Sequence, residues 1–271
     1  MRGVSGFRFQ LSSLFALVLP LRLAPLTRGN VNFNAALQLC FLLDSKFPIL
    51  NSSAVPKWCK TIIAVLLLPA CIGAAAALWL VLRKSGDATT IWVASLAGAG
   101  CWLVIYSLLP KPMWIYVFGH ELTHALWTWA FGGSVKKFKA SSSGGHVVIS
   151  KGNFLIALAP YFFPVYVVLV ALVFVAGNLL WNWQNYLPWF HLAVGAAYAF
   201  HVTLTWHILK TKQTDITQQG YLFSAVIIFL GNVGVLLIAV PLLATRVDLL
   251  TALGWWLECT GEVFHRLGRM L

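Results

Sequence analysis

The sequence predicts an all-α polytopic membrane protein of about six transmembrane helices, with one short β-hairpin-like loop. Three observations carry that expectation. Of 271 residues, 60% are hydrophobic and 10% charged, with a mean hydropathy of +0.82; a soluble domain is about one quarter charged and under half apolar. Six apolar stretches reach the roughly 20 helical residues that cross a bilayer core. A single stretch, Val135–Ser150, alternates β-formers around a Ser/Gly turn.

Three segments follow along the chain. Residues 1–60 are read as an interfacial or signal-like segment: Arg2 and Arg8 precede the apolar run Leu11–Leu21, and Arg22 and Arg28 follow it with no small-residue cleavage site. Residues 61–245 form the six-span membrane domain, with spans near 61–82, 89–109, 113–132, 154–180, 188–209 and 219–245. Pro112 and Pro188 open two of them, where a missing N–H is harmless. Pro160 and Pro164 fall inside the fourth and should kink it. Residues 246–271 mix Trp255, Trp256, Glu258, Glu262 and Arg266 with leucines, as an amphipathic helix on the membrane surface does.

The net charge of +12 comes from Lys and Arg scattered in loops, which suits anionic headgroups and argues against nucleic acid as a partner. None of the five cysteines (Cys40, Cys59, Cys71, Cys101 and Cys259) forms a C-x-x-C pair, so neither a disulfide framework nor a thiolate site is expected. If all six stretches cross, loops 83–88, 133–153 and 210–218 share one face. They hold Arg83, Lys84, Lys136, Lys137, Lys139, Lys151, Lys210 and Lys212, against Lys111 alone in the opposite short loops, which makes that face cytoplasmic. Lys57 and Lys60, just before the first span, point the other way.

The third stretch contains His120-Glu121-Leu122-Thr123-His124. Residues four apart share one face of a helix, so both imidazoles can reach one ion, and Glu121 sits beside them to take a proton from an attacking water. Two neutral nitrogens, a third ligand from elsewhere and an open fourth position suit Zn2+. With this composition the pattern arises by chance on the order of 0.002 times. Glu121 is also the one acidic residue inside the six stretches, where an ionisable group costs about 3 kcal/mol and marks function.

Phe118-Gly-His-Glu-Leu-Thr-His-Ala-Leu126, then Phe131-Gly-Gly133 and a polar segment, resemble the site-2 protease family of intramembrane zinc metalloproteases. The resemblance covers about residues 113–245 and is specific at the motif. It implies a zinc metalloendopeptidase of a multi-pass cell (inner) membrane protein, acting on a transmembrane or membrane-proximal protein substrate. It makes His120 and His124 zinc ligands and Glu121 the general base, with a later aspartate as third ligand. The family's N-x-x-P-x-x-x-L-D-G pattern is incomplete here: Asn185-Tyr-Leu-Pro188 begins it, but Ala193 stands where Asp would fall.

Between residues 88 and 247 the acids are Glu121 and Asp215, so a carboxylate third ligand from the membrane domain is Asp215. His201 is the rival, at similar depth to His124 if both helices stand upright; alternatively it orients Asp215. His146, His191 and His207 are read as loop or interfacial histidines. Residues 135–150 either align an extended substrate by strand addition or form a headgroup-contacting loop. The alternative to an enzyme is a non-catalytic membrane protein: a haem or quinone carrier, or an inactive protease-like binding module.

Overall fold

The computed structural model describes residues 55–270; the signal-like run Leu11–Leu21 and Cys40 lie outside them. Two long helices, α1 (Lys57–Lys84) and α2 (Thr89–Leu108), precede α3 (Met113–Ala130), which carries the histidine motif. The hairpin β1 (Val135–Ser141) and β2 (Gly144–Ile149) follows, then the short α4 (Phe154–Leu158) running into a 3-10 turn, Ala159–Tyr161. Next come α5 (Val165–Trp181), a 3-10 turn at Trp183–Tyr186, α6 (Leu187–Leu209), α7 (Thr214–Gln219), α8 (Tyr221–Ala244) and α9 (Leu249–Gly268).

Two parallel helix pairs make the frame. In the first, α1 and α8 run alongside: Ala64 packs with Phe223 and Val226 near one end, and Ala77 and Val81 with Leu237, Val240 and Ala244 near the other. In the second, α2 and α6 touch backbone to backbone. A Cβ at Gly98 would lie 1.9 Å from Leu192 O, and one at Gly195 would lie 1.9 Å from Ser95 O. Small residues permit such approach where apolar burial between helices is weak, as in lipid. Trp102 Nε1 then donates to Thr203 Oγ1 at 2.8 Å one turn further along.

Four helices are long and apolar enough to cross a membrane: α1, α2, α6 with its leading turn, and α8. The expected fourth span is broken, as its prolines require. Helix α4 and its 3-10 turn end at Tyr161, α5 resumes at Val165, and the two parts meet at 78°. Counted as one span they make a fifth. The freed Tyr161 carbonyl accepts from Asn232 Nδ2 at 3.1 Å, which keeps the break satisfied away from water.

The expected third span is a different object. Tyr116 and Val117, early in α3, pack with Trp102 and Leu204 of the α2–α6 pair. Trp127, near its other end, packs into the Ala64–Phe223 cluster of the α1–α8 pair. The hairpin then returns Ala140 to the Trp102–Leu204–Ile208 cluster. Helix α3 therefore bridges the two pairs and is entered and left from the same end. The physical reason is its polar content: His120 and His124 face Asp215 there, and His124 reaches the Ile156 carbonyl, partners that hydrocarbon would deny them.

That bridge reverses part of the expected loop grouping. Lys60 Nζ bonds Gln219 Oε1 at 2.7 Å at one end of the α1–α8 pair, whereas Arg246 Nε lies 3.4 Å from Asp87 Oδ1 at the other. Loop 83–88 is thus opposite 210–218, not beside it. The end bearing α3 holds Lys57, Lys60, Lys111, Lys136, Lys137, Lys139, Lys151, Lys210 and Lys212, and the far end holds Arg83, Lys84 and Arg246. The conflict raised by Lys57 and Lys60 disappears.

The C-terminal segment does form an amphipathic helix, and Asp248 caps it by accepting from Thr251 N at 2.9 Å. It is not free on a surface. Helix α9 docks lengthwise on α1, with Thr260 against Gly73, Ala252 in the Ala77–Val81 cluster and Trp256 Nε1 donating to Ala70 O at 3.0 Å.

Candidate metal centre

His120 and His124 occupy successive turns of α3, their ring centroids 4.9 Å apart. Asp215, in the first turn of α7, faces both: its Oδ2 is 3.5 Å from His120 Nε2 and 3.7 Å from His124 Nε2. Among the described residues these three are the one group of His, Cys, Asp and Glu that could hold a metal ion, with ligand atoms all within 4.8 Å of one another. Zinc bonds of 2.0–2.1 Å at a tetrahedral angle place neighbouring donors about 3.4 Å apart. The two measured separations are close to that edge and longer than good hydrogen bonds. The three donors are grouped closely enough to hold a metal ion.

His124 and Asp215 are each held by a hydrogen bond from outside the trio. The His124 Nδ1–H donates to Ile156 O at 2.8 Å, which leaves Nε2 as the lone-pair nitrogen facing Asp215; metal-binding imidazoles are usually braced in this way. Tyr161 OH donates to Asp215 Oδ2 at 3.0 Å, and its ring meets His120 edge-on at 5.4 Å. Gln219 pins the far end of α7 to Lys60, and Gly220, at φ 96°, lets the chain turn from α7 into α8. Burial raises the Asp215 carboxyl, but the two facing imidazoles outweigh it, so the group sits below the usual carboxylate range. It is an anion at neutral pH, as a ligand must be.

Glu121 projects toward β2. Gly145 approaches so closely that a Cβ there would lie 2.6 Å from Glu121 Cγ and 2.8 Å from its Oε1. The two sit in a cavity of about 570 Å³ lined by His120, His124 and Asp215, by residues 143–147 and 149 of the hairpin, and by Gln218 and Gln219. The arrangement has two imidazoles facing one carboxylate, a second carboxylate beside them and an extended strand along one wall.

Asp215 needs no dip into the bundle, because α3 comes to its level. His201 is buried on α6 and stands outside the ligand group, as do His146, His191 and His207. His146 is on β2, paired with Lys139. Sequence reasoning missed three contributors. Tyr161 and the Ile156 carbonyl lie 54 and 32 residues from their partners, and no local pattern announces such bonds. Gly145 was visible only as part of a turn, though a Gly pair next to a strand is also a signal of close backbone approach. No protein-family model, curated protein or solved structure matches the chain.

Proposed function

We propose that this protein is an intramembrane zinc metalloprotease of the site-2 protease type, hydrolysing a peptide bond of a transmembrane or membrane-proximal protein. The observation that carries the reading is the convergence of His120, His124 and Asp215 beside Glu121 in one strand-walled cavity. His120, His124 and Asp215 would hold Zn2+; when bound, it polarises the scissile carbonyl and acidifies a water. Glu121 removes the proton from the attacking water and returns it to the leaving amine, a general base then acid. The edge of β2 offers backbone groups to a substrate segment pulled out of helix, since a helical peptide bond is shielded by its own hydrogen bonds. Gly145, lacking a side chain, brings that edge against Glu121.

The site lies close to one end of the bundle. Tyr116 OH bonds Thr205 Oγ1 at 3.4 Å, and Thr205 precedes the end of α6 at Leu209 by about 6 Å of helix. Cleavage therefore falls near a membrane face, and the lysine-rich end makes that face cytoplasmic, with the multi-pass domain in the cell (inner) membrane. In this reading α3 is embedded without crossing. A haem carrier fits poorly, because His120 and His201 share a cavity of about 10 Å³, far below the volume of a porphyrin.

The test is zinc stoichiometry of the purified protein together with cleavage of a membrane substrate by the wild type and by Glu121→Gln. One zinc in both proteins and cleavage by the wild type alone is the expected pattern. Zinc-free protein, or equal cleavage by both, refutes it.

A further inference from the structure

The two motif histidines are braced unequally. His124 Nδ1 has the Ile156 carbonyl at 2.8 Å. His120 Nδ1 is buried with no protein partner, and so is His201 Nε2. A metal ligand whose second nitrogen is unheld can rotate and lose basicity, and a buried polar atom without a partner costs roughly 1–3 kcal/mol. Of the five such atoms among the described residues, these two call for a common explanation.

They have one. His120 and His201 line the same small cavity of about 10 Å³, together with Tyr116, Thr123, Tyr166 and Phe200. A cavity of that size is on the scale that one water molecule needs, provided two to four polar groups meet it. The hydroxyls around it have spent their protons elsewhere: Thr123 Oγ1 donates to Gly119 O at 2.8 Å, Tyr116 OH to Thr205 Oγ1 at 3.4 Å, and Tyr166 OH to Ile115 O. Their oxygens can still accept.

We propose that His201 is a positioning residue, holding His120 through a single water molecule between His120 Nδ1 and His201 Nε2. The water accepts from His120 Nδ1–H and donates one proton to the His201 Nε2 lone pair and the other to a cavity hydroxyl. This fixes the His120 tautomer with Nε2 free toward Asp215. His201 is then the His120 counterpart of the Ile156 carbonyl, and not a metal ligand.

The inference rests on the zinc reading for its consequence, and the experiment separates the two. Zinc affinity is measured by chelator competition on the purified full-length protein with His201→Phe, which fills the space without an acceptor, and with His201→Gln, whose amide oxygen can accept. The expected result is one zinc per chain throughout, affinity lowered about 10–100-fold by His201→Phe and largely restored by His201→Gln. Loss of zinc from both variants, as for a ligand, overturns the proposal, and so does wild-type affinity in His201→Phe. Absence of zinc from the wild type would instead fail the metal reading. The bridge is then read in metal-free, 15N-histidine-labelled protein, where His201→Phe must speed solvent exchange of the His120 Nδ1 proton and His201→Gln must not; unchanged exchange in His201→Phe sinks it.

Discussion

Gly145→Ala tests whether the hairpin wall is part of the catalytic geometry. The added Cβ would lie 2.6 Å from Glu121 Cγ, 2.8 Å from Glu121 Oε1 and 2.8 Å from Lys139 O. Carbon atoms pack best at about 3.5–4.0 Å, so roughly 1 Å of room is missing on two sides at once. The carbonyl of Lys139 belongs to the paired strand β1 and cannot swing aside. The strain is therefore relieved by displacing the Glu121 carboxylate or by lifting β2 away from it. A displacement of that size at a reacting group costs about 100-fold in rate, or about 2.7 kcal/mol of barrier. We expect kcat on a purified membrane substrate to fall by about that factor while zinc content is unchanged, since no ligand is touched. Gly152→Ala is the control: it lines the same cavity, and its Cβ would meet only Ile149 Cδ1 at 4.0 Å, so activity should stay within about twofold. Wild-type kcat/KM in Gly145→Ala would show that β2 does not bear on the chemistry.

Asp215→Ala should strip zinc almost completely, whereas Tyr161→Phe, which removes only the 3.0 Å bond to Oδ2, should weaken it about 10–100-fold; equal losses in a zinc titration would refute the difference in role. A cysteine in place of exposed Ser142 should resist an impermeant thiol reagent in intact cells, and one in place of exposed Gly86, at the opposite end of the bundle, should react; labelling of Ser142→Cys from outside would reverse the orientation. Hydrogen bonds from Thr251 hold the Asp248 carboxyl below its ordinary range. Its contribution to α9 is thus present above about pH 4 and fades as pH falls through the lower folded value. The difference in unfolding temperature between wild type and Asp248→Ala should shrink toward zero under acid, and a difference that grew there would contradict the cap.

Some of this was legible in residue order alone. Apolar runs define α1, α2, α6 and α8, because a helix that is apolar all round needs no partner to show it. The break in the fourth stretch was written in Pro160 and Pro164, and the hairpin in Val135–Ser150. His120, Glu121 and His124 were visible because a helix turns spacing into geometry within five residues. Asp215 was reachable by elimination, since so few acids stand in the apolar chain. What the tertiary structure alone decided is the attitude of α3. Its composition resembles a span, and only its packing against Trp102 at one end and Phe162 at the other makes it a bridge entered and left from one side. That single fact regroups the loops, brings α7 level with the motif, and groups Asp215 rather than His201 with the two motif histidines. Tyr161, Ile156 and Gly145 join the site through contacts 24 to 54 residues away in the chain. Such bonds depend on where a fold brings backbone and side chain together, and no periodicity in the sequence encodes that.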